Sequence, residues 1–174
     1  MKPIISPSIL SADFAYLAKD IEMINRSEAD WVHIDIMDGV FVPNISFGFP
    51  VLKYVAKLTS KPLDVHLMIV NPEKFIPEVK ALGAHIMNVH YEACPHLHRV
   101  VQQIREAGMQ PAVTINPATP IDEVRLRSII SDLKVEKIII SYRARDTATF
   151  SRLSPPIRFN GPKFMLTRPS ESGP

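Results

Sequence analysis

The segment Trp31-Val32-His33-Ile34-Asp35-Ile36-Met37-Asp38-Gly39 holds the residue types best suited to chemistry in this chain. Side chains alternate along a strand, so His33, Asp35 and Met37 share one face while Val32, Ile34 and Ile36 share the other. The aliphatic face suits packing against helices, and the other sets an imidazole beside a carboxylate. A second segment, Leu63-Asp64-Val65-His66-Leu67-Met68, has Asp64, His66 and Met68 in phase. On adjacent strands, His33, Asp35 and His66 would converge. Two imidazoles and a carboxylate are a ligand set for a divalent metal: Zn²⁺, Fe²⁺, Mn²⁺ or Co²⁺. Either histidine alone is more often a hydrogen-bonded core or rim residue, so the site must be argued from convergent groups. Spacing by itself leaves both readings open. His96 and His98 have no acidic partner in phase and read as solvated surface. His90, in Asn88-Val89-His90-Tyr91-Glu92, could face the mouth of a barrel, but a structural role is the better reading.

These side chains need strands to carry them, and the chain supplies a matching pattern. Short apolar runs alternate with longer segments of helical period, as in βα units feeding a parallel sheet. Strands are expected over residues 4–10, 31–37, 63–69, 85–91 and 110–115, with a sixth at 137–141. Helices are expected over 14–27, 47–59, 72–82, 95–107 and 121–133. Asn71-Pro72 resembles an N-cap followed by proline at the first helical position, and Gly83 and Gly108 sit where helices end. The C-terminal ends of such strands are where (β/α)₈ barrels build their sites. After Tyr142 the pattern stops, and the last twenty residues hold five prolines and no sustained period. The expected organisation is a partial (β/α)₈, TIM-barrel-type domain over residues 1–142 and an unpatterned tail over 143–174.

Composition narrows the function classes. The chain has 174 residues, 46% hydrophobic and 22% charged, ordinary for a globular domain but short beside the roughly 250 of a closed (β/α)₈ barrel. A formal charge of +2, with Lys and Arg scattered, gives no footprint for nucleic acid. Cys94 is the single cysteine, which excludes an internal disulfide and fits a reducing compartment. The N-terminus is a poor signal peptide, and no apolar run approaches the ~20 residues of a membrane span. The expectation is a cytoplasmic protein with neither a nucleic-acid nor a membrane partner.

Several motifs in order carry a resemblance. Ser6-Pro7-Ser8-Ile9-Leu10-Ser11-Ala12-Asp13-Phe14 comes first, then His33-Ile34-Asp35-Ile36-Met37-Asp38-Gly39-Val40-Phe41-Val42-Pro43-Asn44. Asp64-Val65-His66-Leu67-Met68, Val89-His90-Tyr91-Glu92-Ala93 and Asn116-Pro117-Ala118-Thr119-Pro120 follow. Together they resemble the ribulose-phosphate 3-epimerase family over about residues 3–122.

The resemblance implies an isomerase that interconverts D-ribulose 5-phosphate and D-xylulose 5-phosphate by moving the C3 proton through an enediolate. It implies a divalent metal held by His33, Asp35 and His66, with Asp35 doubling as one acid/base carboxylate. Ser8 and His66 would contact the phosphorylated ketose, and Met37 and Met68 would cap the enediolate with polarizable sulfur. It also implies a homo-oligomer. The chain departs from the family in its C-terminal part. The second catalytic aspartate, the glycine-rich loop after the sixth strand and the later phosphate-binding turns have no counterpart; Phe159-Asn160-Gly161-Pro162-Lys163-Phe164 is a faint echo of that loop. Two alternatives follow. One is a truncated, catalytically inactive metal-binding or subunit-binding fragment; the other is a related hexulose-phosphate epimerase, such as one acting on allulose 6-phosphate.

Overall fold

A strand that alternates aliphatic and polar residues can be buried on both sides only if each face finds its own partners. The computed structural model shows how this chain does so; it describes residues 4–116, 118–120 and 122, together with the strand at 137–140. Helices α1 (Leu17–Arg26), α2 (Phe49–Leu58), α3 (Ile76–Ala81) and α4 (Leu97–Glu106) alternate with strands β1 (Val32–Met37), β2 (Leu63–Met68), β3 (Ile86–His90) and β4 (Gln110–Ile115). A fifth strand, β5 (Lys137–Ile140), completes one sheet in the order β1-β2-β3-β4-β5. Every adjacent pair is parallel. Sequential order with helical crossovers is the first part of a (β/α)₈ barrel.

The hydrophobic core lies between the outer face of the sheet and the helices. Val32, Ile34, Val65 and Leu67 are fully buried there, against Ile21 of α1 and Leu52 and Val55 of α2. At roughly 1.5–3 kcal/mol per fully buried aliphatic side chain, this layer supplies most of the drive to fold. Helices α3 and α4 both end on left-handed glycines, Gly83 at φ +75° and Gly108 at φ +79°. The Gly108 N–H bonds the Arg105 carbonyl and Met109 N–H the Ile104 carbonyl, the paired bonds that close a helix on glycine.

Four of the five fully described expected strands match to within a residue at each end. The exception is 4–10. That segment runs extended beside β1, with one isolated bridge between Ser8 and His33, and turns into a short 3₁₀ helix at Ile9–Ser11. Pro7 has no N–H and can only accept, which it does from the His33 N–H at 2.9 Å. The helix expected over 72–82 splits into a 3₁₀ turn, Pro72–Phe75, and α3, because Pro77 lacks the N–H that would bond back across the junction. The helix expected over 121–133 and the tail 143–174 lie outside the described residues. Among the described residues no helix is long and apolar enough to cross a membrane.

Candidate metal centre

The parallel register settles what alternation only suggested. Asp35 of β1 pairs with His66 of β2, His33 with Asp64, and Met37 with Met68. His33, Asp35 and His66 therefore meet on the inner face near the C-terminal ends of their strands. Their ligand atoms all lie within 4.8 Å of one another. His33 Nε2 is 3.1 Å and His66 Nδ1 3.0 Å from the same oxygen, Asp35 Oδ1. The other oxygen, Oδ2, accepts the Ser8 hydroxyl at 2.5 Å. Ser8 is placed by its 3₁₀ turn, where its Oγ also accepts the Leu10 N–H at 3.2 Å.

The end of β1 is held as firmly. Ser46 Oγ donates to the Asp35 carbonyl at 2.8 Å and accepts the Met37 N–H at 3.0 Å. Asp38 Oδ1 accepts the N–H groups of Val40 and Phe41, and its Oδ2 that of Val70 at the end of β2. These bonds hold the Asp38 carboxyl below its usual range against the opposing effect of desolvation.

Electrostatics at the centre follow from burial and pairing. Burial alone would lower the His33 pKa, but hydrogen bonds to Asp35 and Asp64 on its two nitrogens outweigh it and raise the pKa to about 10. Burial likewise disfavours the Asp35 carboxylate, yet His33 and His66 hold it well below the ordinary range. The cluster thus favours a positive charge at its middle.

The donor set fits a divalent metal on the same evidence. His33 Nδ1 donates to Asp64 Oδ2 at 3.0 Å, so in the neutral ring the Nε2 lone pair points at Asp35 Oδ1. A proton bridges His33 Nε2 and Asp35 Oδ1 in the metal-free protein, and a divalent ion would take its place. Tetrahedral ligands about 2 Å from an ion lie about 3.3 Å apart, a few tenths of an ångström beyond the two nitrogen–oxygen separations to Asp35 Oδ1. Asp64 is fully buried and orients His33 as carboxylates orient metal-binding histidines elsewhere.

Of the residues singled out from sequence, the structure brings together His33, Asp35, His66 and Ser8. Met37 and Met68 flank one another, half-buried, at the strand ends. His96 and His98 are exposed, as expected. Sequence reasoning assigned no role to Asp64, although the alternation that found His66 also put Asp64 on its face. His90, for which a structural role was the better reading, is buried with its Nε2 2.9 Å from His66 Nε2. The two rings stack with centroids 5.0 Å apart, and Phe41 covers His90 at 4.7 Å. Burial and His66 push the His90 pKa down to about 4 against the opposing pull of Glu92 and Asp35, so the ring is neutral at pH 7.

Comparison with known proteins agrees with this geometry. The ribulose-phosphate 3 epimerase family model matches residues 4–141. Ribulose-phosphate 3-epimerase of Bacillus subtilis is 50% identical over 120 residues, covering 69% of this chain and 55% of that protein. The Synechocystis enzyme of the same name is 47% identical over 132 residues, 75% of this chain and 57% of the other. The chloroplastic ribulose-5-phosphate-3-epimerase of Arabidopsis thaliana is 46% identical over 123 residues, 70% of this chain and 44% of the other. The chain thus spans about half the length of these relatives. Among solved structures, a tryptophan synthase alpha-subunit from Pyrococcus furiosus, a TIM-barrel-type protein, superposes with a TM-score of 0.59 at 17% identity, covering 82% of this chain and 66% of that one. At that identity the likeness concerns the fold alone. With its parallel (β/α) sheet and a family match over residues 4–141, the chain belongs to the ribulose-phosphate 3-epimerase family.

Proposed function

We propose that this chain carries the metal-binding and first proton-transfer machinery of a ribulose-phosphate 3-epimerase, acting at C3 of D-ribulose 5-phosphate. The observation that carries the reading is the convergence of His33 Nε2 and His66 Nδ1 on Asp35 Oδ1. His33, Asp35 and His66 hold the metal, and their donor types suit Zn²⁺, Fe²⁺, Mn²⁺ or Co²⁺. When bound, the ion supplies Lewis-acid stabilisation of the negative charge that develops as the C3 proton leaves. Asp35 moves that proton. Its Oδ1 belongs to the metal centre and its Oδ2, fixed by Ser8, is the oxygen available to the substrate. A carboxylate is a competent base here because the C3 proton is acidified by the adjacent ketone. Met37 and Met68 border the same strand ends and offer polarizable, non-reactive surface to a planar intermediate.

Inversion at C3 needs a second acid/base group on the opposite face. Among the described residues Asp35 is the carboxylate bonded to both cluster histidines; Asp64 stands behind His33. That observation favours a second reading, a metal-binding unit without turnover of its own. One experiment separates the two. The purified 174-residue protein is incubated with D-ribulose 5-phosphate and Zn²⁺ or Fe²⁺ in D₂O, and C3 deuteration and xylulose 5-phosphate are followed by NMR. The epimerase reading expects both signals, and their loss in Asp35→Asn. Deuteration without epimerisation assigns the chain one working face. Neither signal, from a protein shown to be folded and metal-loaded, sinks the catalytic reading in favour of the second.

A further inference from the structure

We infer that Ser46 is a positioning residue for Asp35: its hydroxyl takes the place of a strand neighbour and holds the backbone that carries the carboxylate. The inference rests on the proposed function above and adds a residue that acts on the cluster through Asp35.

Along a parallel strand, alternate residues turn their N–H and C=O groups to opposite neighbours. Val32 N–H bonds the Pro62 carbonyl at 3.0 Å, on the β2 side, and His33 N–H bonds the Pro7 carbonyl at 2.9 Å, on the other. By alternation the backbone groups of Asp35 and Met37 face the same edge as those of His33. The extended segment on this edge reaches Ser8, bridged to His33, and then turns into the 3₁₀ helix Ile9–Ser11. Beyond it, among the described residues, no strand runs beside the Asp35 carbonyl and the Met37 N–H. A backbone group left unpaired away from water costs about as much as a lost hydrogen bond, so both need another partner.

The loop after β1 supplies it by folding back along the strand. Asp38 pairs with Ile45 in an isolated antiparallel bridge, and the Gly39 N–H bonds the Asn44 carbonyl at 2.8 Å. Ser46 follows, half-buried, with its N–H 3.4 Å from the Met37 carbonyl. Its Oγ donates to the Asp35 carbonyl at 2.8 Å and accepts the Met37 N–H at 3.0 Å. A hydroxyl is both donor and acceptor, so one side chain serves two backbone groups of opposite polarity. Asp35 is thus fixed twice, at Oδ2 by Ser8 and at its carbonyl by Ser46. The bonds of Ser46 reach neither His33 nor His66, so its loss should shift the carboxylate against imidazoles that stay in place.

The test uses the purified 174-residue chain with Co²⁺, whose visible spectrum responds to the arrangement of its ligands. Ser46→Ala removes the hydroxyl and Ser46→Thr keeps it. The spectrum is expected to shift in Ser46→Ala and to match the wild type in Ser46→Thr. Amide hydrogen exchange at Met37 is expected to be about tenfold faster in Ser46→Ala than in the other two. With D-ribulose 5-phosphate, kcat for C3 exchange should fall about 10- to 100-fold in Ser46→Ala while KM stays within about twofold. Circular dichroism confirms that each variant is folded; should Ser46→Ala fail to fold, Ser46→Cys, of similar size but a weak donor and acceptor, replaces it. A wild-type Co²⁺ spectrum in the folded Ser46→Ala protein, or a Ser46→Thr protein that behaves like Ser46→Ala, overturns the role of Ser46 and leaves the metal centre standing. A wild type that binds Co²⁺ without C3 exchange sinks the catalytic reading, and the spectra still decide on Ser46. A folded wild-type chain that binds no Co²⁺ overturns the metal centre and this inference with it.

Discussion

Both faces of β1 and β2 hold deeply buried residues, and the two do opposite work. On the outer face Ile34, Val65 and Leu67 are at 0% exposure; on the inner face Asp64 is at 0% and His33 at 2%. Depth therefore does not distinguish core from site. Pairing does. The outer residues belong to a continuous cluster of apolar side chains, so their contribution scales with area and volume and tolerates swaps of similar size. The inner residues are satisfied atom by atom, His33 by two carboxylates and Asp35 by two imidazoles and a hydroxyl. Removing one partner there leaves a charge or lone pair stranded away from water, which no repacking repairs.

Substitutions on the two faces should therefore fail in different ways. The largest expected effect is that of Asp35→Asn, which removes the base while keeping the shape: C3 exchange per folded chain should fall about 10²- to 10⁴-fold in the D₂O assay. A fall of less than fivefold would assign the proton transfer to another group. Leu67→Ala, on the outer face, is expected to cost about 2–5 kcal/mol of stability in urea denaturation while zinc stoichiometry per folded chain stays the same. Lost zinc in a folded Leu67→Ala protein would show that the faces are not independent. Asp64→Asn should do the converse, weakening zinc about 10- to 100-fold by calorimetry because His33 loses the charge behind it.

The smallest expected effect concerns Asp38, whose carboxylate ties the loop after β1 to the end of β2. Its folded pKa lies below the ordinary value, so its contribution is present above about pH 4, the range of an unfolded aspartate, and is lost as pH falls through the folded value. The group is largely open to solvent, which limits the effect to about 1 kcal/mol. Urea midpoints of wild type and Asp38→Ala should differ at pH 7 and draw together progressively as pH falls below about 4; a gap that does not narrow with falling pH would show that the charge is not what holds the loop.

The strands that carry the centre were legible because their apolar residues recur at period two and their ends are marked by proline, glycine and asparagine. His33, Asp35 and His66 could be found because two of them share one strand face and the third repeats the pattern. Asp64 was visible on that face without a role, since its partner is set by the register between strands. The contact of His90 was hidden for the same reason: nothing within Val89-His90-Tyr91 shows that its ring stacks on His66 across β2 and β3. The first strand was overread because Pro7 breaks a ladder that hydropathy alone would continue.

By itself, then, the sequence determined which residues alternate, where helices stop and which family the motifs resemble, all of which depend on neighbours in the chain. Tertiary structure alone decided that Asp35 stands opposite His66, that Asp64 backs His33, and that His90 stacks on His66. Those relations depend on register and on distances between strands, and a hydrogen bond is made or lost over less than an ångström.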